Sequence, residues 1–281
     1  MKNQGNGSLK HYHRFVTKWN AIRKLKNEPI TVVLSPHMDD VFLSLNSFIC
    51  SGSIGRNIVG INVFTLTDSA VKTNVKSDFG TVSATSAMRM IEELSYSRYL
   101  KHKRINYVPL FMGFKDAAID AYYRFIAGKS INGVSNKFGI RSAARAMHVK
   151  YVKELYGKLE LEGALVPIIK QLGSIDKILA PMGIGDHIDH ILLRNFSESL
   201  RLKSRAGLYA DIPYIHEYGY DSIGKLKGAL PKDYSTYEMK TFDPAEKTAL
   251  FRKLYKSQYD VSIGKSMKAI AENTGEAIFW R

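Results

Sequence analysis

Two short stretches of the sequence combine histidine with aspartate directly after an apolar run. The first reads PHMDD at positions 36–40, and the second reads GDHIDH at positions 185–190. Two neutral imidazoles and one carboxylate satisfy a borderline-soft cation such as Zn²⁺ and leave one coordination position for water. We therefore expect a zinc-type metal held by His37, Asp40 and His190. The same donor set also suits Fe²⁺ or another divalent metal.

The groups beside these three ligands predict hydrolysis. Asp39 would be free to take a proton from a metal-bound water, whose pKa a metal can lower to about 7. His187 is placed to stabilise an oxyanion or to help protonate a leaving amine. Asp189, between the two late histidines, is expected to support the ligands without binding the metal itself. Taken singly, each residue would be a helix cap or a surface residue, but caps do not require histidines, and core packing does not require paired aspartates.

Short β-branched runs alternate with longer helical patterns, which is typical of a parallel sheet covered by helices on both faces. We expect an α/β fold, a Rossmann-like three-layer sandwich with a mostly parallel sheet. In such sheets ligands bind beyond the carboxyl ends of the strands, where both His/Asp stretches fall. The predicted strands are 30–34, 58–66, 105–111, 177–181 and 207–212. The predicted helices are 81–100, 145–172, 188–202 and 244–257, the last opened by Asp243 and Pro244, and 127–139 is predicted to be an exposed loop.

Length and composition indicate one domain without a membrane span. The 281 residues, 45% of them hydrophobic, can bury a substantial core. We expect a single domain over 1–281, with a basic N-terminal arm at 1–28 and a C-terminal extension at 218–281 packed on the core. No apolar run approaches the ~20 residues of a membrane-spanning helix, and the polar N-terminus lacks a signal-peptide pattern, so a cytoplasmic location is predicted. The one cysteine, Cys50, can form neither an intramolecular disulfide nor a cysteine-based metal cluster.

The balance of charge is strongly basic. Lys and Arg number 41 against 26 Asp and Glu, which gives a formal net charge of +15. Such a surface attracts anions of several kinds, including nucleic acid, phosphorylated metabolites and acidic sugars. The basic residues are scattered, and no recognised motif interleaves them with base-stacking aromatics. A solvated basic surface is therefore favoured over a nucleic-acid site, and no nucleic-acid partner is expected.

The two His/Asp stretches resemble the motifs of the PIG-L/LmbE-like family of N-acetylglucosaminyl deacetylases. Positions 36–41, PHMDDV, are similar to the family's first motif, and positions 187–190, HIDH, are similar to its late motif. The resemblance implies the same zinc ligands, the same general base and the same intermediate-stabilising histidine as the residues themselves indicate. It adds Arg89 in a substrate-binding position, within a helix similar to the family's Arg-x-x-Glu helix, and Asp116 as an acidic residue that contacts a sugar hydroxyl.

The chain departs from the family's pattern at two places. Val41 stands where the family usually carries Glu, and Leu45 with Asn46 replaces its common glycine pair. Because Val41 is neither an inferred ligand nor the base, its presence bears on substrate identity more than on reaction type, although a hydrogen bond that Glu could make near the metal is lost.

The expected function is a metal-dependent N-deacetylase that hydrolyses the acetamide of an N-acetylglucosamine-type sugar conjugate, a C–N hydrolase acting on a linear amide. The positive surface suits a small-molecule substrate with an anionic aglycone, and secondary-metabolite pathways such as antibiotic biosynthesis are among those that unmask an amine on a sugar. Three alternatives stay open: a ferrous oxygenase, a catalytically silent sugar-binding protein of the same fold and, with less support, a basic nucleic-acid-binding protein.

Overall fold

The computed structural model describes residues 28–67, 79–116, 159–200 and 204–281, and its strands and helices alternate along most of that length. The strands are β1 (Ile30–Ser35), β2 (Asn57–Asn62), β3 (Asn106–Phe111), β4 (Ile175–Pro181), β5 (Arg205–Tyr209), β6 (Thr236–Lys240) and β7 (Glu276–Trp280). The helices are α1 (Asp40–Ser51), α2 (Phe79–His102), α3 (Leu159–Gln171), α4 (Ile188–Ser199), α5 (Tyr214–Glu217), α6 (Ile223–Gly228), α7 (Pro244–Leu254) and α8 (Val261–Asn273). A short 3₁₀ turn, Ile184–Asp186, precedes α4.

The seven strands of the described residues form one sheet in the order β3-β2-β1-β4-β5-β7-β6. The first five are parallel to one another, and β7 runs antiparallel to both β5 and β6. The predicted α/β fold with a mostly parallel sheet is confirmed. The chain adds β2 and β3 on one side of β1 and then returns to place β4 on the other side. This reversal between β1 and β4 is where a sheet of this kind offers a crevice for a ligand.

The central strand and the helix after it are buried almost throughout. Every residue of β1 is buried, which explains its continuous β-branched run, because both faces of the strand are covered. The helix α1 is apolar on most of its surface and ends at Gly52, which has a φ of 72° and whose N–H bonds back to the last turn. At the other end of the chain, Asp243 caps α7 by accepting hydrogen bonds from the N–H groups of Ala245 and Glu246, as the sequence predicts.

Two predicted strands are too long. The strand predicted at 58–66 ends at Asn62, because the next two residues donate their N–H groups to backbone carbonyls at the end of β1 and leave the ladder. The strand predicted at 207–212 ends at Tyr209, where the chain turns toward α5. Of the helix predicted at 145–172, the part 159–171 is α3, while 145–158 and the loop predicted at 127–139 lie outside the described residues.

Several elements were not predicted, most of them in the last quarter of the chain. These are α1, α5, α6, α8, β6 and β7. The strands β6 and β7 extend the sheet beyond β5, so that the segment 218–281 contributes directly to it. Among the described helices, none is both long enough and apolar enough to cross a membrane.

Candidate metal centre

The two His/Asp stretches lie side by side at one edge of the sheet. β1 ends just before the loop that carries His37 and Asp39, and α1 then begins at Asp40. β4 ends before the turn that leads to His187, the residue at the N-terminus of α4. Because β1 and β4 are hydrogen-bonded neighbours, the loops that follow them meet at the point where the strand order reverses.

The second loop depends on two glycines with positive φ. Gly183 has a φ of 75° and Gly185 a φ of 81°, a region that residues with a side chain rarely adopt. A Cβ at Gly185 would also come within 2.4 Å of the Tyr218 ring, and one at Gly183 within 3.3 Å of the Ile191 backbone. These positions let the loop turn sharply and present His187 toward the first loop.

The structure brings together the three residues expected to bind a metal. His37, Asp40 and His190 are buried, and one ligand atom of each lies within 4.8 Å of the others. Asp40 Oδ2 is 3.3 Å from His37 Nδ1 and 3.6 Å from His190 Nε2. His190 Nε2 is buried and has no hydrogen-bond partner. Two imidazoles, a carboxylate and an unpartnered buried nitrogen form a donor set that fits a zinc-type ion.

An overlapping set shares one of these histidines. His37, His187 and Asp189 also place one ligand atom each within 4.8 Å of one another. Within this set, Asp189 Oδ2 lies 3.1 Å from His37 Nε2. Asp189 therefore contacts the imidazole of His37, and His187, also a member of this set, has its Nδ1 buried and without a hydrogen-bond partner.

Charge around the centre favours a cation. Burial lowers the pKa of His37, but hydrogen bonds with Asp189 and Asp40 outweigh it and raise that pKa to about 10. Burial raises the pKa of Asp40, yet His190 and His37 hold it well below its usual range. His187 behaves in the opposite way, since burial and the neighbouring histidines lower its pKa to about 3. The imidazole of His187 is thus neutral near pH 7.

Arg89 lies against the expected general base. Its Nη2 donates to Asp39 Oδ1 at 2.5 Å, and Arg89 is only 4% exposed. The Asp39 side chain is 14% exposed, against 7% for Asp40 and 2% for Asp189. Among these carboxylates, Asp39 is the one most open to water, while Arg89 binds its other side.

Asp116 is buried at the same edge of the sheet. It follows β3, which is separated from β1 by β2, and its backbone N–H donates to the carbonyl of Leu66. It is 4% exposed. It does not belong to either of the two sets of ligand atoms.

Two residues of the centre were missed by sequence reasoning. Asp211 Oδ1 lies 2.9 Å from His190 Nδ1, and the ring of Tyr214 lies 5.2 Å from that of His190 and 5.7 Å from that of His187. Both follow β5, in the segment YADIPY. The rule that selected the first two stretches, a polar side chain just after an apolar strand, also selects Asp211.

Comparisons with known proteins bear on the fold. No protein-family model matches the sequence, and no curated protein matches it. Among solved structures, the chain is similar to a deacetylase of the teicoplanin biosynthesis pathway, with 17% identity, coverage of 89% of this chain and 97% of that chain, and a TM-score of 0.56. It is also similar to the zinc-inhibited form of a teicoplanin deacetylase, with 15% identity, coverage of 89% and 97%, and a TM-score of 0.50. The fold implied by the resemblance is thereby confirmed, and the chain has the α/β fold of the teicoplanin deacetylases.

Proposed function

We propose that this protein is a metal-dependent hydrolase of the PIG-L/LmbE-like kind, which removes the acetyl group from the nitrogen of an N-acetylglucosamine-type sugar conjugate. The observation that carries the proposal is the convergence of His37, Asp40 and His190 at the switch point of the sheet, with a buried nitrogen that lacks a partner. The fold shared with solved deacetylases adds support for the same reaction class. A fold by itself does not determine a reaction, because one fold hosts many reactions, so the side chains of the site carry the proposal.

The three ligands would hold a divalent cation, with Zn²⁺ favoured by the two imidazoles and one carboxylate. Such an ion would polarise the amide carbonyl and make a water acidic enough to attack it. One solved deacetylase of this fold is described in a zinc-inhibited form, so the metal is best tested at one equivalent and against Fe²⁺.

Asp39 is our general base. It is adjacent to the ligand Asp40, and its side chain is the more exposed of the two. One oxygen receives the hydrogen bond from Arg89, which leaves the other oxygen to accept a proton from the attacking water. Arg89 then acts by fixing the orientation of this carboxylate. The substrate contact that the family resemblance implies for Arg89 would come from the remaining edge of its guanidinium.

His187 is our oxyanion-stabilising residue. A neutral imidazole can donate one N–H to the oxygen that becomes negative in the tetrahedral intermediate. Because the pKa of His187 is lowered to about 3, this hydrogen bond is favoured over transfer of a proton from an imidazolium to the leaving amine. Asp116, with its carboxylate at the same edge of the sheet, is our candidate for contact with a sugar hydroxyl, and the basic surface suits an anionic aglycone.

The proposal is tested by loading the protein with one equivalent of Zn²⁺ or Fe²⁺ and measuring acetate and free amine released from a panel of N-acetylglucosaminides. We expect turnover of at least one member, and a loss of about 10²- to 10⁴-fold in Asp39→Asn. The matched control is Asp221→Asn, an exposed carboxylate paired with Lys225, which should keep full activity.

Three results would contradict all or part of the proposal. If the protein with stoichiometric metal releases no acetate from any member of the panel, the substrate class is wrong. If it binds a sugar of the panel without turnover, the silent sugar-binding alternative is supported. Full activity in Asp39→Asn would show that the base is assigned incorrectly.

A further inference from the structure

Apart from Asp40, which lies 3.3 Å from Nδ1 of His37, each histidine of the proposed ligand set has one carboxylate on a ring nitrogen, but not on the same nitrogen. Asp189 Oδ2 contacts Nε2 of His37 at 3.1 Å, and Asp211 Oδ1 contacts Nδ1 of His190 at 2.9 Å. A carboxylate can only accept, so the nitrogen that it contacts carries the hydrogen. In a neutral imidazole the other nitrogen is then left with a free lone pair.

When both rings are neutral, as metal binding requires, the two nitrogens left with a lone pair point to the same place. They are Nδ1 of His37 and Nε2 of His190, which lie 3.3 Å and 3.6 Å from the same oxygen of Asp40. His190 Nε2 is the one without a hydrogen-bond partner. The carboxylates thus turn the free lone pairs of both rings toward a common centre.

Asp211 is held in place by a second contact. Its Oδ2 accepts a hydrogen bond from the backbone N–H of Ile184 at 2.9 Å, and its side chain is fully buried. Ile184 belongs to the turn after β4, the loop that also carries His187. One carboxylate at the end of β5 therefore fixes both the ring of His190 and the start of the loop beside it.

We infer that Asp211 is a positioning residue, which sets the tautomer and ring orientation of His190, and that Asp189 does the same for His37 on the opposite nitrogen. The metal of the proposed function would accordingly be bound through Nδ1 of His37 and Nε2 of His190. This inference rests on one part of the proposed function, the binding of a metal ion by His37, Asp40 and His190. Asp211 follows a different strand from the two motif stretches, which is why neither motif includes it.

The experiment measures metal binding and needs no substrate. Zn²⁺ affinity is determined by competition with a chelator in the wild-type protein, in Asp211→Asn and in the exposed control Asp221→Asn. Loss of a carboxylate behind a ligand histidine weakens metal binding by about 10- to 100-fold. We expect that loss in Asp211→Asn and no change in Asp221→Asn. Thermal unfolding of the metal-free proteins checks that each variant is folded, and Asp189→Asn repeats the test on His37 should Asp211→Asn fail to fold.

A second readout identifies the ligating nitrogens directly. Long-range ¹H–¹⁵N spectra of the zinc-loaded wild-type protein should show Nδ1–H on His190 and Nε2–H on His37. If wild-type protein binds no zinc, the proposed function and this inference both fail. If it binds zinc but the two histidines ligate through the same nitrogen, or folded Asp211→Asn binds as tightly as wild type, only this inference is overturned.

Discussion

Two buried polar clusters contact α1, one along its middle and one at its N-terminal end, and they differ in whether their polar groups are hydrogen-bonded to one another. Along the middle, Ser47 donates to both oxygens of Glu276, through its N–H at 2.8 Å and its hydroxyl at 2.9 Å. Lys247 Nζ adds an ion pair to Glu276 at 2.6 Å and also donates to the carbonyl of Leu43. At the N-terminal end, Asp40 faces imidazoles that include an unpartnered nitrogen.

The difference separates a structural cluster from a binding cluster. A buried polar group without a partner is costly, so a folded chain tolerates one mainly where something else completes it. The Lys247–Glu276 cluster is complete without any ligand and should stabilise the fold. The candidate metal centre contains a buried nitrogen without a partner, and it should matter more for function than for stability.

The largest effect on stability is expected from Lys247→Met. This change leaves Glu276 buried without its cation, a situation that typically costs roughly 3–5 kcal/mol. Urea unfolding measures the free energy of unfolding of each variant. The control is Lys225→Met, which removes an exposed pair with Asp221 and should leave the free energy of unfolding almost unchanged. If both variants lose the same small free energy of unfolding, the buried ion pair does not stabilise the packing of α1.

His187→Ala should lower activity strongly and stability little. Because His187 Nδ1 has no hydrogen-bond partner, truncation breaks no hydrogen bond at that atom, and the free energy of unfolding should stay within about 1 kcal/mol of wild type. The rate of deacetylation should fall about 10²- to 10³-fold, as when an oxyanion donor is removed. Steady-state kinetics on a turned-over sugar and urea unfolding are measured on the same preparation. A loss of stability as large as that in Lys247→Met would remove the distinction between the two clusters.

A smaller effect, dependent on pH, is expected at a third buried cluster. Burial raises the pKa of Glu93 to about 8, although hydrogen bonds from the hydroxyls of Tyr107 and Tyr255 act to lower it. The folded state thus keeps a proton that the unfolded state has lost above about pH 4.5. The stabilisation is complete below that pH and is lost as the pH rises to about 8, by about 2 kcal/mol between pH 6 and pH 8.

Glu93→Gln tests this pH dependence. A glutamine has no proton to lose, so the variant should lack that decline and should exceed wild type in stability at pH 9. Urea unfolding at a series of pH values measures it, with the exposed Glu272→Gln as control. Parallel curves for Glu93→Gln and wild type would contradict a raised pKa.

The elements that the sequence predicts best are those buried on both sides. β1, β3 and β4 were placed within two residues, because a strand covered on both faces is a continuous apolar run. β6, TYEMK, is mostly exposed at the edge of the sheet and has no such run, and it was missed. α1 was missed for the opposite reason, since a helix buried on most of its surface loses the alternation that marks an amphipathic helix.

The sequence predicts those residues of the candidate site that directly follow a strand. It does not predict contacts between residues that are far apart in the chain. His37, Asp40 and His190 were found because both stretches come directly after strands. The contact of Arg89 with Asp39 spans 50 residues, and nothing in the spacing indicates it. Asp211 lies between these cases, since it follows β5 but has no histidine beside it in the sequence, unlike the other two loops.

The attachment of α1 has a mechanical consequence for the site at its first turn. Glu276 and Lys247 anchor the helix through Leu43 and Ser47, so Asp40 cannot slide along the helix axis without rupturing a buried ion pair. The opposite wall is a short turn built on Gly183 and Gly185. The crevice therefore has one side anchored by a buried ion pair and another whose turn is held by Asp211 through the N–H of Ile184, so it should keep its shape when substrates of different bulk bind.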